Sequence, residues 1–297
     1  MSAYPIFDAT VQAIEDFDPE LHAQLVAIKG NPAFRKLVHS DIDGTASKRT
    51  SDPAKLELQE AFLPNCQDFI KKGGEVNWIS ARGANKGAGN LSTINGGDSR
   101  IGLTGNDGCE AIVNGQIVHF VEPADFDAHI GELEKERDDY PLDPITVTPM
   151  GNHVFGVFID EELPAYGVFV LLMGKIARAL TKSTGRAYTI KEHHIGITLE
   201  LEKKTGKAAA VQRIRDQSDT AIGVELYAGD GDNDVEAQAL VNKAPFGYAY
   251  KVCKDRAAAE AAANAARRNP ADFAYVKGFI AGTDQWARLV GMVATEL

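Results

Sequence analysis

The sequence predicts a doubly wound α/β fold: a parallel sheet with helices on both faces and a smaller α/β module inserted near the middle of the chain. Three observations carry this. From residue 35 onwards, short runs rich in Val, Ile, Leu and aromatic residues alternate with longer stretches of helical spacing. Several of those runs end in acidic or glycine-containing turns, as strands do where a parallel sheet meets its ligands. Between about residues 121 and 195 the texture changes, which sets that stretch apart.

The elements follow in order. Residues 1–34 read as a helical leader, with Ile14, Leu21, Leu25 and Val26 on loosely helical spacing before the break at "KGNP". "RKLVHSDID" (35–43) is a short strand. "DPAKLELQEAFLPNCQDFIKKGG" (52–74) is helical, with Asp52 as N-cap, Pro53 in the first turn and glycine at the end. "EVNWISARG" (75–83) is a strand running into a turn, and "GANKGAGNLSTINGGD" (83–98) is loop. "RIGLTGNDG" (100–108) is a third strand, and "AIVNGQIVHF" (111–120) places Asn-Gly between alternating residues, a hairpin signal. The inserted module holds helix 125–140, strand 153–160, a long helix at 165–185 and strand 187–194. The alternation then resumes with strand "GITLELE" (196–202), helix "KAAAVQRIRDQ" (207–217) and strand "VELYAGDGDND" (224–234). Strand "GYAYKV" (247–252), an Ala-rich helix at 255–268 and a last helix near 283–297 complete the chain. The main domain is therefore expected at 35–120 and 196–297, with the module at 121–195.

Composition narrows the function. Hydrophobic content of 44% with 25% charged residues is ordinary for a globular protein. A net charge of -11 argues against a nucleic-acid partner, because affinity for phosphate backbones needs surplus Lys and Arg. Three widely spaced cysteines, Cys66, Cys109 and Cys253, make no disulfide framework and suit a reducing, cytoplasmic compartment. The first twenty residues lack a basic region followed by an apolar run, so no signal peptide is read there. The longest apolar run, "YGVFVLLM" (166–173), is far short of the ~18 residues of a membrane span. A soluble protein without a membrane partner is expected, and no pattern specifies its oligomeric state.

Four strand-end features carry chemistry. Asp41-Ile42-Asp43-Gly44-Thr45 sets two carboxylates one residue apart, where they repel unless the turn is solvated or a cation sits between them. The others are Ser80-Ala81-Arg82-Gly83, the basic run Lys203-Lys204-Thr205-Gly206-Lys207, and "GDGDND" at 229–234. Each has a plain reading alone: an Asx turn, a structural hydroxyl, solvated lysines, a calcium loop. The calcium loop fails, because its sixth and twelfth positions, Gly and Glu in that motif, are Val235 and Val241. "GANKGAG" around Lys86 is no P-loop, since no Gly-Lys-Ser/Thr follows. His193-His194 have no partner cysteines and read as structural or substrate-lining.

Together and in this order, the four features resemble the haloacid dehalogenase superfamily of phosphotransferases: a D-x-D-G-T motif, a Ser ending the second strand, a Lys before a helix and an acidic G-D-x-x-N-D turn. The length between Ser80 and the lysine motif is similar to the branch with an inserted α/β cap. Within it, the chain looks most like trehalose-phosphate and sucrose-phosphate phosphatases, "GITLELEKKTGKAAAV" resembling the trehalose enzymes' Glu-containing strand and Lys-Gly helix start. The resemblance implies a Rossmann-like core, a mobile cap at 121–195, and a Mg2+-dependent phosphomonoesterase acting on a small phosphorylated substrate, trehalose 6-phosphate being the leading example. It implies Asp41 as the nucleophile, forming an aspartyl phosphate, and Asp43 as the acid and then the base. Mg2+ would be held by Asp41, the Asp43 carbonyl, Asp230 and Asp234. Gly44 and Thr45 (through their backbone amides), Ser80, Arg82 and Lys207 would hold phosphate, and Asn106, Asp107 and Asn233 would line the substrate.

Two departures stand out. Ala208 follows Lys207 where the family has Gly, which leaves Lys204 as an alternative. Ala46-Ser47-Lys48-Arg49 is more polar than the apolar pair often found after the Thr, so Lys48 and Arg49 either face substrate or belong to a solvated loop. A phosphomutase would share every residue named here and differ by product. A catalytically silent binding protein on the same fold would show no turnover.

Overall fold

A computed structural model describes residues 4–49, 56–85, 89–123, 126–149, 154–193, 196–201 and 206–297. The first described element is a strand, β1 (Ile6–Phe7), followed by helices α1 (Ile14–Phe17) and α2 (Pro19–Ile28). Pro19 opens α2, and the Asp18 carboxylate caps it by accepting from the Leu21 amide. The expected helical leader holds α1 and α2 but is corrected at Ile6–Phe7, which extend a sheet edge, with Phe7 buried against the core.

The main sheet continues through β2 (Arg35–Ser40), helix α3 (Phe62–Lys71), β3 (Glu75–Ile79), the single turn α4 (Leu91–Ile94), β4 (Ile101–Gly105) and the hairpin β5 (Glu110–Val113) and β6 (Gln116–His119). The hairpin turns at Asn114-Gly115, as the sequence predicts. The helix expected from Asp52 begins at Phe62; Asp52 and Pro53 lie outside the described residues, as does Lys86.

Next come α5 (Asp127–Asp138), β7 (Thr146–Pro149), β8 (Val154–Phe158), α6 (Tyr166–Thr184), β9 (Tyr188–His193) and β10 (Gly196–Leu201). These four strands form a second, antiparallel sheet in the order β7-β8-β10-β9. Phe155, Ile197 and Leu199 of the sheet share one core with Phe169 and Met173 of α6. Residues 196–201 were expected in the main sheet but pair with β8 and β9, so the second sheet runs past residue 195. A six-residue strand without an exposed position reads alike in either sheet.

The chain returns through α7 (Gly206–Arg215), β11 (Ile222–Gly229), α8 (Val235–Asn242), β12 (Gly247–Cys253), α9 (Arg256–Arg268), β13 (Gly278–Ala281) and α10 (Thr283–Glu296). The main sheet has the order β1-β13-β12-β11-β2-β3-β4-β5-β6, parallel from β1 to β4 and antiparallel across the hairpin. Trp78, Phe62 and Trp286 pack on one face, and Ile79, Tyr227, Val211 and Val241 on the other. Parallel pairing of β2 with β11 sets their carboxyl ends side by side, which positions the site.

Candidate active site

Burial decides where Asp41 goes. β2 has no exposed residue, and the first polar position past it lies at the sheet's carboxyl edge, anchored by the Asp41 amide donating to the Ala228 carbonyl of β11 at 3.0 Å. Behind it, the Trp286 indole donates to Ser40 Oγ at 2.9 Å, and Ser40 Oγ donates to the Asp41 carbonyl at 2.6 Å. Asp41 Oδ1 accepts from the Ile42 amide at 2.7 Å.

From the end of β11, Asp230 and Asp234 converge on Asp41. One oxygen from each of the three carboxylates lies within 4.8 Å of the others. Lys207, from the first turn of α7, is fully buried between two of them: its Nζ is 2.9 Å from Asp41 Oδ2 and 2.7 Å from Asp234 Oδ1. Tyr227 donates its hydroxyl to the same Asp234 oxygen at 2.7 Å, and Asp234 Oδ2 accepts from the Gly231 amide at 3.0 Å. Three carboxylates against the Lys207 ammonium and the Arg49 guanidinium, which pairs with Asp230, leave excess negative charge in a site where Asp41, Asp234 and Lys207 are buried and Asp230 is partly exposed. Burial and the neighbouring Asp234 push the Asp41 carboxyl up against the pull of Lys207. Burial would lower Lys207, but Asp41 and Asp234 outweigh it and raise it. Burial likewise raises Asp230. Asp230 Oδ1 is buried with no hydrogen-bond partner. Excess charge, an orphaned carboxylate oxygen and an all-oxygen donor set fit a hard divalent cation such as Mg2+.

The turn after Asp41 is tight because Gly44, at φ +79°, lies against Asp230: a Cβ there would come within 2.1 Å of Asp230 Oδ2. Its amide donates to the Ser47 carbonyl at 2.8 Å, and the Thr45 amide to Ile42 at 3.2 Å. Both amides expected to hold phosphate are thus engaged inside the turn. The Thr45 hydroxyl differs: it is fully buried and has no partner.

Asp43 is gripped by Arg82, whose Nε and Nη2 each donate to a carboxylate oxygen at 2.7 Å. Arg82 Nη1 also holds the Gly89 carbonyl at 3.0 Å. Ser80, fully buried, accepts from the Arg82 amide at 3.2 Å, so its hydroxyl hydrogen is left to donate elsewhere. Asn106 and Asp107 both adopt left-handed backbone, φ 52° and 51°, and their amides bond to the carbonyls of Arg82 and Ser80. The Asn106 side chain is fully buried with neither polar atom partnered. Asn233 Nδ2 donates to Asp107 Oδ1 at 3.1 Å, joining the β4 turn to the β11 turn.

The structure thus gathers Asp41, Gly44, Asp230, Asp234 and Lys207 in one cluster, with Asp43, Arg82, Ser80, Asn106, Asp107 and Asn233 on its β3–β4 side. Lys203 and Lys204 lie outside the described residues, as does His194, while His193 closes β9. Arg49, left open by the sequence, donates to Asp230 Oδ2 at 2.9 Å. Tyr227 was missed; its signal is a phenol in a buried strand, where the hydroxyl needs a partner.

No family model and no curated protein matches the chain in sequence. Among solved structures, the C-terminal domain of trehalose-6-phosphate phosphatase from C. albicans aligns over 99% of this chain and 99% of its own, with a TM-score of 0.63 at 15% identity. A trehalose-6-phosphate phosphatase related protein covers 88% of this chain and 97% of its own, TM-score 0.61 at 16% identity. A haloacid dehalogenase-like hydrolase from Bacteroides thetaiotaomicron covers 86% and 98%, TM-score 0.55 at 13% identity. At these identities the likeness establishes the fold, and it is the fold expected above.

Proposed function

We propose that this chain, carrying the fold of the haloacid dehalogenase-like hydrolases, is a divalent-cation-dependent phosphomonoesterase acting on a small phosphorylated sugar or polyol. One observation carries the reading: Asp41, Asp230 and Asp234 converge with the buried ammonium of Lys207 where β2 and β11 end side by side. Asp41, Asp230 and Asp234 would hold Mg2+, with the Asp43 carbonyl as a further ligand. When bound, the ion would offset the repulsion between a carboxylate nucleophile and an anionic phosphoryl group.

An Asp41 carboxylate oxygen attacks phosphorus, and the bond from phosphorus to the leaving oxygen breaks, giving an aspartyl phosphate. Asp43 hands its proton to the leaving oxygen. Its carboxylate then takes a proton from the water that attacks phosphorus, which releases inorganic phosphate and restores Asp41. Arg82 occupies both Asp43 oxygens, so that contact must part before Asp43 meets the leaving group. The freed guanidinium can turn to the phosphoryl oxygens, alongside Lys207, the Ser80 hydroxyl and the orphaned Thr45 hydroxyl. The second sheet would act as a cap, excluding water and selecting substrate. A net charge of -11 and three free, buried cysteines suit a small-molecule substrate in a reducing compartment. No described helix is long and apolar enough to cross a membrane.

The test is phosphate release from a panel of sugar phosphates that includes trehalose 6-phosphate, run with Mg2+, with EDTA, and with Asp41→Asn. Turnover is expected to require Mg2+ and to fall at least about a thousandfold in the variant. Turnover that survives Asp41→Asn would remove the nucleophile assignment, and a relocated rather than released phosphate would make the enzyme a mutase.

A further inference from the structure

A cavity of about 580 Å³ opens beside the carboxylate cluster and shares Gly44 and Asp230 with it. It lies over the carboxyl ends of β12 and β13, and its wall includes Lys48, Lys254 and the start of α10. That volume suits a small ligand.

Four features of its lining point to an anion. Lys48 and Lys254 are exposed to the cavity, and neither has a hydrogen bond or ion pair among the described residues. Arg49 beside them is committed to Asp230. Helix α10 starts from Gly282, at φ +118°, which offers no capping oxygen, and the amides of Thr283, Asp284 and Gln285 meet no acceptor among the described residues. Thr283 is 8% exposed, lines the cavity, and its hydroxyl has no partner there either. The three carboxylates of the same wall are engaged: Asp230 pairs with Arg49, Asp255 caps α9 by accepting from the Ala258 amide at 2.9 Å, and Asp284 accepts from Gln285 Nε2 at 2.8 Å.

We propose that this cavity binds a second anionic group, a phosphate or a carboxylate, on the leaving part of the substrate. The inference rests on the phosphomonoesterase reading and narrows its substrate class, from a neutral sugar or polyol carrying one phosphate to one carrying a further anion. Lys48 and Lys254 supply the charge, and the Thr283 hydroxyl and the first-turn amides of α10 supply the donors. Because the cavity adjoins Asp230 and Gly44, an anion held there fixes the ester's orientation relative to Asp41.

The experiment compares sorbitol 6-phosphate with 6-phosphogluconate and fructose 1,6-bisphosphate, using the full chain and a Lys48→Gln/Lys254→Gln double variant. In the wild type the two substrates with a second anionic group should exceed sorbitol 6-phosphate in kcat/KM by at least about tenfold, and the double variant should erase that ratio. Calorimetric binding of the same three compounds to Asp41→Asn reads the subsite without turnover, so a failed phosphatase reading leaves it testable. There the compounds with a second anionic group should bind at least about tenfold tighter, and adding the two Gln substitutions should remove the difference. Equal affinity for all three compounds, or a preference that survives the double variant, would overturn the proposal. So would competitive inhibition by inorganic sulfate, abolished by the double variant, with no preference among the substrates, because the cavity would then serve a free anion.

Discussion

Replacing Lys207 with methionine keeps most of the side chain's volume and removes the ammonium, which makes it a clean probe of the carboxylate cluster. The wild-type Nζ lies 2.9 Å from Asp41 and 2.7 Å from Asp234, and the side chain is wholly shut off from solvent. Without it, three carboxylates with oxygens within 4.8 Å of one another face each other across a low-dielectric site. Arg49 on Asp230 and the Tyr227 hydroxyl on Asp234 are then the favourable side-chain partners left, beside the Ile42 and Gly231 amides on Asp41 and Asp234. Breaking one partner out of a buried ion pair costs about 3–5 kcal/mol, because the remaining charge stays buried and unpaired. For a chain of this size, each kcal/mol moves the melting midpoint by roughly 2–4 °C, so the variant should melt about 6–20 °C lower in EDTA. Millimolar Mg2+ should then raise the variant's midpoint more than the wild type's, because a ligand that binds only the folded state stabilises it by mass action and meets more uncompensated charge there. Thermal unfolding by circular dichroism, with and without Mg2+, measures both. A variant melting within about 2 °C of wild type in EDTA would refute the reasoning, since it would mean the three carboxylates do not need the ammonium.

Two further outcomes follow from the same geometry. Gly44→Ala forces an L-residue into φ +79° and drives a methyl carbon onto Asp230, so it should cost at least about 1–2 kcal/mol in urea unfolding and weaken Mg2+ affinity in titration calorimetry. Glu225 reads the acid limb of stability. Burial alone would push its carboxyl up, but bonds from His39 and Arg215 hold it down at about 2, against an ordinary value of 4.5. A depressed carboxylate stabilises the fold above its unfolded value, so this contribution, on the order of 3 kcal/mol, is lost as pH falls from about 4.5 to 2. Urea midpoints against pH should show that loss in wild type and a flatter curve in Glu225→Gln.

The sequence carried the parallel sheet because its strands are short, apolar and punctuated by the acidic turns that later form the site. It carried the hairpin because Asn114-Gly115 is a local signal. It misplaced Gly196–Leu201 because burial on both faces looks the same in a parallel core strand and in a covered antiparallel one. β1 and β13 were too short to show a period. At the site, residue types and order pointed to Asp41, Lys207, Asp230 and Asp234, which the fold does bring together. The grip of Arg82 on Asp43 and of Arg49 on Asp230 was invisible, because it depends on side chains brought together by the fold from distant parts of the chain. The spent amides of Gly44 and Thr45 were invisible for the opposite reason: they depend on how one turn closes on itself.

The seam between β2 and β11 also orders the events of folding. These neighbours are separated by every residue from β3 to β10, whereas β8, β9 and β10 pair with partners close by in sequence. Closing a short loop costs less entropy than closing a long one, so the second sheet collects its contacts early and the seam closes late. During synthesis Asp41 is therefore made well before Lys207, Asp230 and Asp234, and stays hydrated until they arrive. The cluster is dehydrated only once all four groups are present. A substitution that slows closure of the seam, at Val38 or Leu226 for instance, would prolong the life of a species with a finished second sheet and no assembled carboxylate cluster.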